Sequence, residues 1–217
     1  MSDPRCSLKL KLVRTIGVAI LASLACSGCL LLELNAGHYQ AYFHGGLSAL
    51  DAEDFSTAKK RFARACYYGQ DLGPEAEAAA VYNYGLAVGQ LGEFVKAESC
   101  FKRALELDAK TEGKEGRHAS MRWFELARLY QAWGKDELSR ESYEKAFPLA
   151  EEQHASGNDP ISVAMALDDY AGVLDSLGLG ADSAKARERA ESLRRANPDK
   201  KALVKILHYP PPTMPKQ

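Results

Sequence analysis

Residues 81–108 read VYNYGLAVGQLGEFVKAESCFKRALELD. Apolar and small side chains recur at helical spacing on both sides of Gly92, no strand-like alternation persists, and a glycine between two such runs punctuates a helical hairpin. Outward from this stretch the same texture returns in WFELARLYQAWGKDELSRESYEKAF (123–147), in LDDYAGVLDSLGLGADSAKARERAESLRRA (167–196) and in YFHGGLSALDAEDFSTAKKRFARA (42–65). The pattern predicts an all-α chain of eight helices in four hairpins. An internal repeat of this kind means a stack of units, each burying its neighbour's apolar face.

Residues 81–108 closely resemble a tetratricopeptide repeat, in which two antiparallel helices pack small residues against large ones. The resemblance implies a right-handed α-solenoid. It assigns Gly85 as the small residue of the first helix, Gly92 as the turn, Ala97 and Ala104 as the small positions of the second helix, and Phe94 and Phe101 as the fillers. Trp123, Leu126, Ala127, Tyr130, Gly134, Tyr143 and Ala146 take matching places in the next copy, with Ser139 for the usual alanine. Leu167, Tyr170, Ala171, Leu174, Gly178 and Ala190 do so in the last copy, where Arg187 replaces an aromatic. The first copy offers Gly46, Phe55, Ala58, Phe62 and Ala65 but has Ala52 and Glu53 where the glycine turn belongs. Between Gly46, Gly85, Ala127 and Ala171 the steps are 39, 42 and 44 residues. Those exceed the roughly 34 of the ordinary repeat and resemble the longer repeats of kinesin light chains. The repeat domain is expected over 38–197, with units near 39–70, 78–111, 119–153 and 163–197. Within it, Pro148 is expected to kink or shorten its helix, and 157–160 (GNDP) to form a loop. The remainder, 198–217, ends in YPPPTMPKQ and is expected to be extended rather than packed.

The amino terminus carries a different message. Arg5, Lys9, Lys11 and Arg14 precede the apolar TIGVAILASLA of 15–25, the layout of a secretory signal. The following CSGC resembles a bacterial lipobox, and Ser27 and Gly28 mark Cys29 as the residue to be lipidated; Cys26 is the competing site. On this reading 1–28 is a signal peptide and 29–37 a short tether. Thr15 to Leu32 is also an uncharged run of 18 residues, about 27 Å long as a helix, so an uncleaved inner-membrane anchor is the alternative, ahead of an ordinary cleaved signal. Either anchored form places the body outside the cytoplasm, because the basic start stays inside. By resemblance to proteobacterial lipoproteins, Leu30 after the cysteine implies an outer-membrane protein facing the periplasm.

Without residues 1–28 the chain has 24 basic and 28 acidic residues. A nucleic-acid partner, which needs a concentrated basic face, is therefore not expected. No phosphate-cradling glycine loop or HExxH pair occurs, and the five histidines are scattered. No catalytic residue, metal or cofactor is predicted. Cys66 and Cys100 remain after processing and are expected as buried free thiols, with a disulfide as the alternative in an oxidising compartment.

The resemblance implies a partner: a protein or peptide segment of the envelope, held in the groove formed by the first helices. The groove-facing positions carry over to Phe43, His44 and Leu47, to Tyr82, Asn83 and Leu86, to Phe124, Glu125, Arg128 and Gln131, and to Asp168, Asp169 and Asp175. Aromatics at one end would supply contact area, and the aspartates at the other would favour a basic ligand. A carboxylate clamp is excluded, since only Asn83 matches it while Phe43, Leu47, Met121 and Glu125 hold the other positions. The rival expectation is a structural, self-associating protein whose groove is filled by a second copy or by its own tail.

Overall fold

The computed structural model describes residues 32–111, 116, 118–154, 159–202 and 206–212. Cys26, Cys29 and almost all of the apolar run lie outside the described residues. Among the described residues eight α-helices follow in chain order: α1 (residues 32–51), α2 (Phe55–Gly69), α3 (Pro74–Gln90), α4 (Phe94–Thr111), α5 (Ala119–Ala132), α6 (Asp136–His154), α7 (Pro160–Ser176) and α8 (Gly180–Ala196). Consecutive helices pair as four hairpins, and the hairpins stack through α2 on α3, α4 on α5 and α6 on α7. The result is an all-α solenoid, with α1 already helical at residue 32, where a tether is expected.

The four hairpin turns are built alike. Gly92, Gly134 and Gly178 take the left-handed conformation (φ 76°, 73° and 74°) that a side chain disfavours. After each, an amide reaches back five residues: Glu93 N–H to Val88 O at 2.9 Å, Lys135 N–H to Tyr130 O at 2.9 Å and Leu179 N–H to Leu174 O at 2.8 Å. These bonds satisfy carbonyls that a helix end leaves open. The first hairpin makes the same bond, Asp54 N–H to Ala49 O at 2.9 Å, but Glu53 holds the left-handed position at φ 58°. Geometry imposed by the flanking helices therefore overrides the missing glycine. Asp54 then caps α2 by accepting from Thr57 N–H, and Asp159 caps α7 by accepting from Ser162 N–H, with Pro160 as the first helical residue.

Inside the hairpins, small faces large as the resemblance implies. A Cβ on Gly46 would lie 2.6 Å from the Phe62 ring, and one on Gly85 2.8 Å from the Phe101 ring, so only glycine admits these rings. Ala58, Ala97, Ala65 and Ala104 are fully buried around them. In the third and fourth hairpins alanine replaces the glycine, and the equivalents of Ala58 and Ala97 are Ser139 and Ser183. Their buried hydroxyls donate to Ala127 O at 2.8 Å and Ala171 O at 3.0 Å, tying the paired helices with a hydrogen bond. Arg187, at the expected aromatic position, bonds Ser183 and Asp175 and leaves the outer side of the last hairpin polar.

Pro148 removes one backbone donor inside α6, yet the helix runs on to His154, so of the two expected outcomes it is not shortened. One expectation needs correction: the described part of the tail is irregular, but it is packed, with Tyr209 buried while Pro210, Pro211 and Pro212 are exposed.

Candidate functional site

The first helices α1, α3, α5 and α7 carry the residues assigned to the groove. On α1, Phe43 and Leu47 are half-buried against Phe62 and Leu50, and His44 is exposed with its ring edge-on to Phe43. On α3, Tyr82 and Leu86 are buried in the central core, while half-buried Asn83 donates back to Ala79 O. On α5, Phe124 joins Tyr143, Phe147 and Tyr170 in a ring cluster, Glu125 and Arg128 are buried, and Gln131 reaches toward Gly172 of α7. The aromatics assigned to the groove thus pack into the hydrophobic clusters of the hairpins.

The three aspartates of α7 do not form an open acidic field. Asp168 pairs with Arg194 and Asp175 with Arg187, both toward α8, and Asp169 takes the Nε of Arg128 at 3.1 Å. Each carboxylate has its own guanidinium, which removes the physical basis for expecting a basic ligand there. The chain brings together a different set: Tyr82, Glu125, Arg128 and Asp169, with Arg122 beside them.

Arg122 lies over the Tyr82 ring, 3.8 Å from its centroid, and its Nε donates to Asp108 at 3.2 Å, both partners being buried. Arg128 bridges two acids, donating to Glu125 Oε1 at 3.0 Å and to Asp169 Oδ2. Burial would pull the Arg128 guanidinium down, but the carboxylates of Glu125 and Asp169 outweigh it and hold it above its ordinary value. Tyr143 is fully buried, its hydroxyl without a hydrogen-bond partner among the described residues. Burial first, then the nearby Asp169 and Glu125, push that phenol well up.

Across this site runs the chain's own tail. The Tyr209 ring lies on α3 at Gly89, where a Cβ would be 2.5 Å from its Cε1, and 6.5 Å from the Phe101 ring centroid. Its hydroxyl donates to Glu125 Oε2 at 2.7 Å in a buried bond. Gln90 Nε2 donates to His208 O at 3.1 Å, and the His208 ring meets Asp169 Oδ1 at 3.3 Å. So α3, α5 and α7 each contribute a contact. Burial, then Glu125, raises the Tyr209 phenol well above its ordinary value, keeping it a donor.

Gly89, Gln90, Arg122, His208 and Tyr209 escape the reading of the sequence. Gly89 was visible in principle, since a second glycine one turn after Gly85 serves no turn and signals a close approach. Nothing local announces that the approaching group is 120 residues further along. Elsewhere, Cys66 and Cys100 are unbonded, and burial pushes their thiols up to about 12 and about 11. Among the described residues no group of three His, Cys, Asp or Glu could hold a metal, and no helix is long and apolar enough to cross a membrane.

Residues 77–152, spanning α3 to α6, match the family described as tetratricopeptide repeat. The fold is similar to that of BtubC (BKLC) from P. vanneervenii, with a TM-score of 0.70 at 16% identity over 82% of this chain and 71% of that one. It is also similar to MamA, with a TM-score of 0.59 at 15% identity over 78% of this chain and 86% of that one. At such identities the likeness is one of fold. No curated protein matches the chain.

Proposed function

We propose that this chain, whose residues 77–152 match the tetratricopeptide-repeat family, is a lipid-anchored scaffold that binds an extended segment of another envelope protein through the face formed by α3, α5 and α7. It would do so without chemistry of its own, in the assembly of an envelope structure such as a pilus, a secretion pore or the outer membrane. One observation carries the reading: that face accommodates an irregular stretch of polypeptide, with a buried side chain and bonds from three successive first helices. A groove able to order one extended segment is a groove of the right width and polarity for another.

The lipobox-like CSGC supports the anchor. With α1 helical from residue 32, a lipid on Cys29 would hold the solenoid within about 10 Å of chain from the membrane surface. Several acyl chains together would make the tether stable, since one alone gives only marginal binding.

A second reading draws on the same tail. A groove filled by its own chain needs no partner, and the protein would then be structural. Photo-crosslinking in the native envelope separates the two. A crosslinker at Leu47 or Gln131 is expected to trap a partner that one at exposed Val95 on α4 does not. Identical trapping from both positions, or none, refutes the groove reading. Cys29→Ser should abolish acylation detected by mass spectrometry of the amino terminus; an acylated terminus in that variant moves the lipid to Cys26, and an unacylated terminus in the unaltered chain refutes the anchor.

A further inference from the structure

The way Tyr209 is held has the form of a recognition site rather than of a core contact. Three features are read at once. The absence of a side chain at Gly89 admits a flat ring, because even a methyl group would intrude to 2.5 Å. The buried Glu125 carboxylate accepts from the ring's hydroxyl, and its other oxygen is already committed to Arg128, which fixes its orientation. Gln90 donates to the backbone carbonyl of the preceding residue, a contact open to any sequence. Shape and hydroxyl together select tyrosine over phenylalanine, which would leave a buried carboxylate oxygen unpaired.

The prolines after the tyrosine matter as well. Pro210 disfavours helical backbone at Tyr209, and Pro211 and Pro212, both exposed, favour the same extended conformation. They do not add buried surface; they reduce the entropy lost when the segment docks. Nothing in these contacts requires the segment to belong to the same chain.

We propose that Gly89, Gln90 and Glu125 form the specificity site of the groove, that it takes a tyrosine followed by proline in an extended segment of a partner, and that residues 206–212 are its resident occupant, displaced when the partner binds. This deepens the groove reading and rests on it. In the free protein the tethered tail competes at the millimolar effective concentration typical of short linkers. Partner segments must therefore match its chemistry and arrive at high local concentration or with added contacts along the groove.

The test is a fluorescence-anisotropy titration of a labelled ILHYPPP peptide, residues 206–212, into the full chain in detergent, unaltered and as Tyr209→Ala. Tyr209→Ala should bind the peptide at least about tenfold more tightly than the unaltered chain, because its own occupant is gone. Adding Gly89→Ala should abolish that gain, and replacing the peptide's tyrosine by phenylalanine should weaken binding about tenfold. Circular dichroism of Tyr209→Ala, and the milder Tyr209→Phe, guard against a folding defect. Equal binding by the unaltered chain and both variants, or indifference to the peptide's tyrosine, would overturn the proposal. So would full-chain dimers that dissociate in Tyr209→Ala, since the tail would then be exchanged between copies. A groove-crosslinked partner without peptide selectivity removes this inference and leaves the scaffold reading intact; peptide selectivity without a crosslinked partner overturns both, leaving a site that holds only the chain's own tail.

Discussion

Gly85 and Gly172 both lie inside first helices, and substituting each by alanine separates helix propensity from packing. In an exposed helix interior, glycine to alanine gains about 1 kcal/mol. At Gly172 of α7 the nearest atom to a new Cβ is Gln131 Nε2 at 3.6 Å, an ordinary contact at the end of a flexible side chain. The full gain should appear there. At Gly85 the new Cβ would meet Phe101 Cε1 at 2.8 Å, Cys100 Cβ at 3.0 Å and Phe101 Cδ1 at 3.1 Å. That ring cannot retreat, because it is fully buried between Tyr82 and the tail's Tyr209. Overpacking of this kind costs about 1–3 kcal/mol, so Gly85→Ala should lose between nothing and about 2 kcal/mol net. The two variants should thus differ by about 1–3 kcal/mol, and each kcal/mol moves Tm by about 2–4 °C in a chain of this size. Urea denaturation with an unchanged slope is the assay. If Gly85→Ala stabilises as much as Gly172→Ala, the close approach of α3 and α4 through Phe101 is refuted.

Arg122→Met should destabilise by about 3–5 kcal/mol, because it strands the buried Asp108 carboxylate; Arg122→Met with Asp108→Asn should recover much of that, and equal losses in the single and double variants would refute the pairing. Glu53→Gly should stabilise by about 0.5–1 kcal/mol, the relief of a left-handed side chain less the extra entropy of glycine when unfolded; a lower urea midpoint would refute the strain. Alkaline pH should weaken the fold. Six of the ten tyrosines are held above their ordinary range, first of all by burial: Tyr39, Tyr130 and Tyr170 up to about 12, and Tyr82, Tyr143 and Tyr209 in the same direction. The unfolded chain ionises these phenols first, so their contribution is complete below about pH 10 and is lost as pH rises from there through the folded values. Thermal melts with tyrosinate absorbance check this; a Tm flat to pH 12 would refute it.

The repeat was legible because its determinants are local. Gly46, Gly85, Ala127 and Ala171 are each followed at twelve residues by Ala58, Ala97, Ser139 and Ser183, and at nineteen by Ala65, Ala104, Ala146 and Ala190. A hairpin pairs residues a fixed short distance apart, so its packing rules must recur as spacing. Fold class and hairpin number come from that alone, as does most of the placement of the first-helix faces. The site does not. Tyr209 meets Glu125 across 84 residues and His208 meets Gln90 across 118, contacts with no period to betray them. Equally, Asp168, Asp169 and Asp175 read as an acidic face because charge is visible in a sequence while its neutralisation by Arg194, Arg128 and Arg187 is a matter of how hairpins stack. Local spacing determined the rods; only their assembly decided which surface was left open and which segment of the chain lies on it.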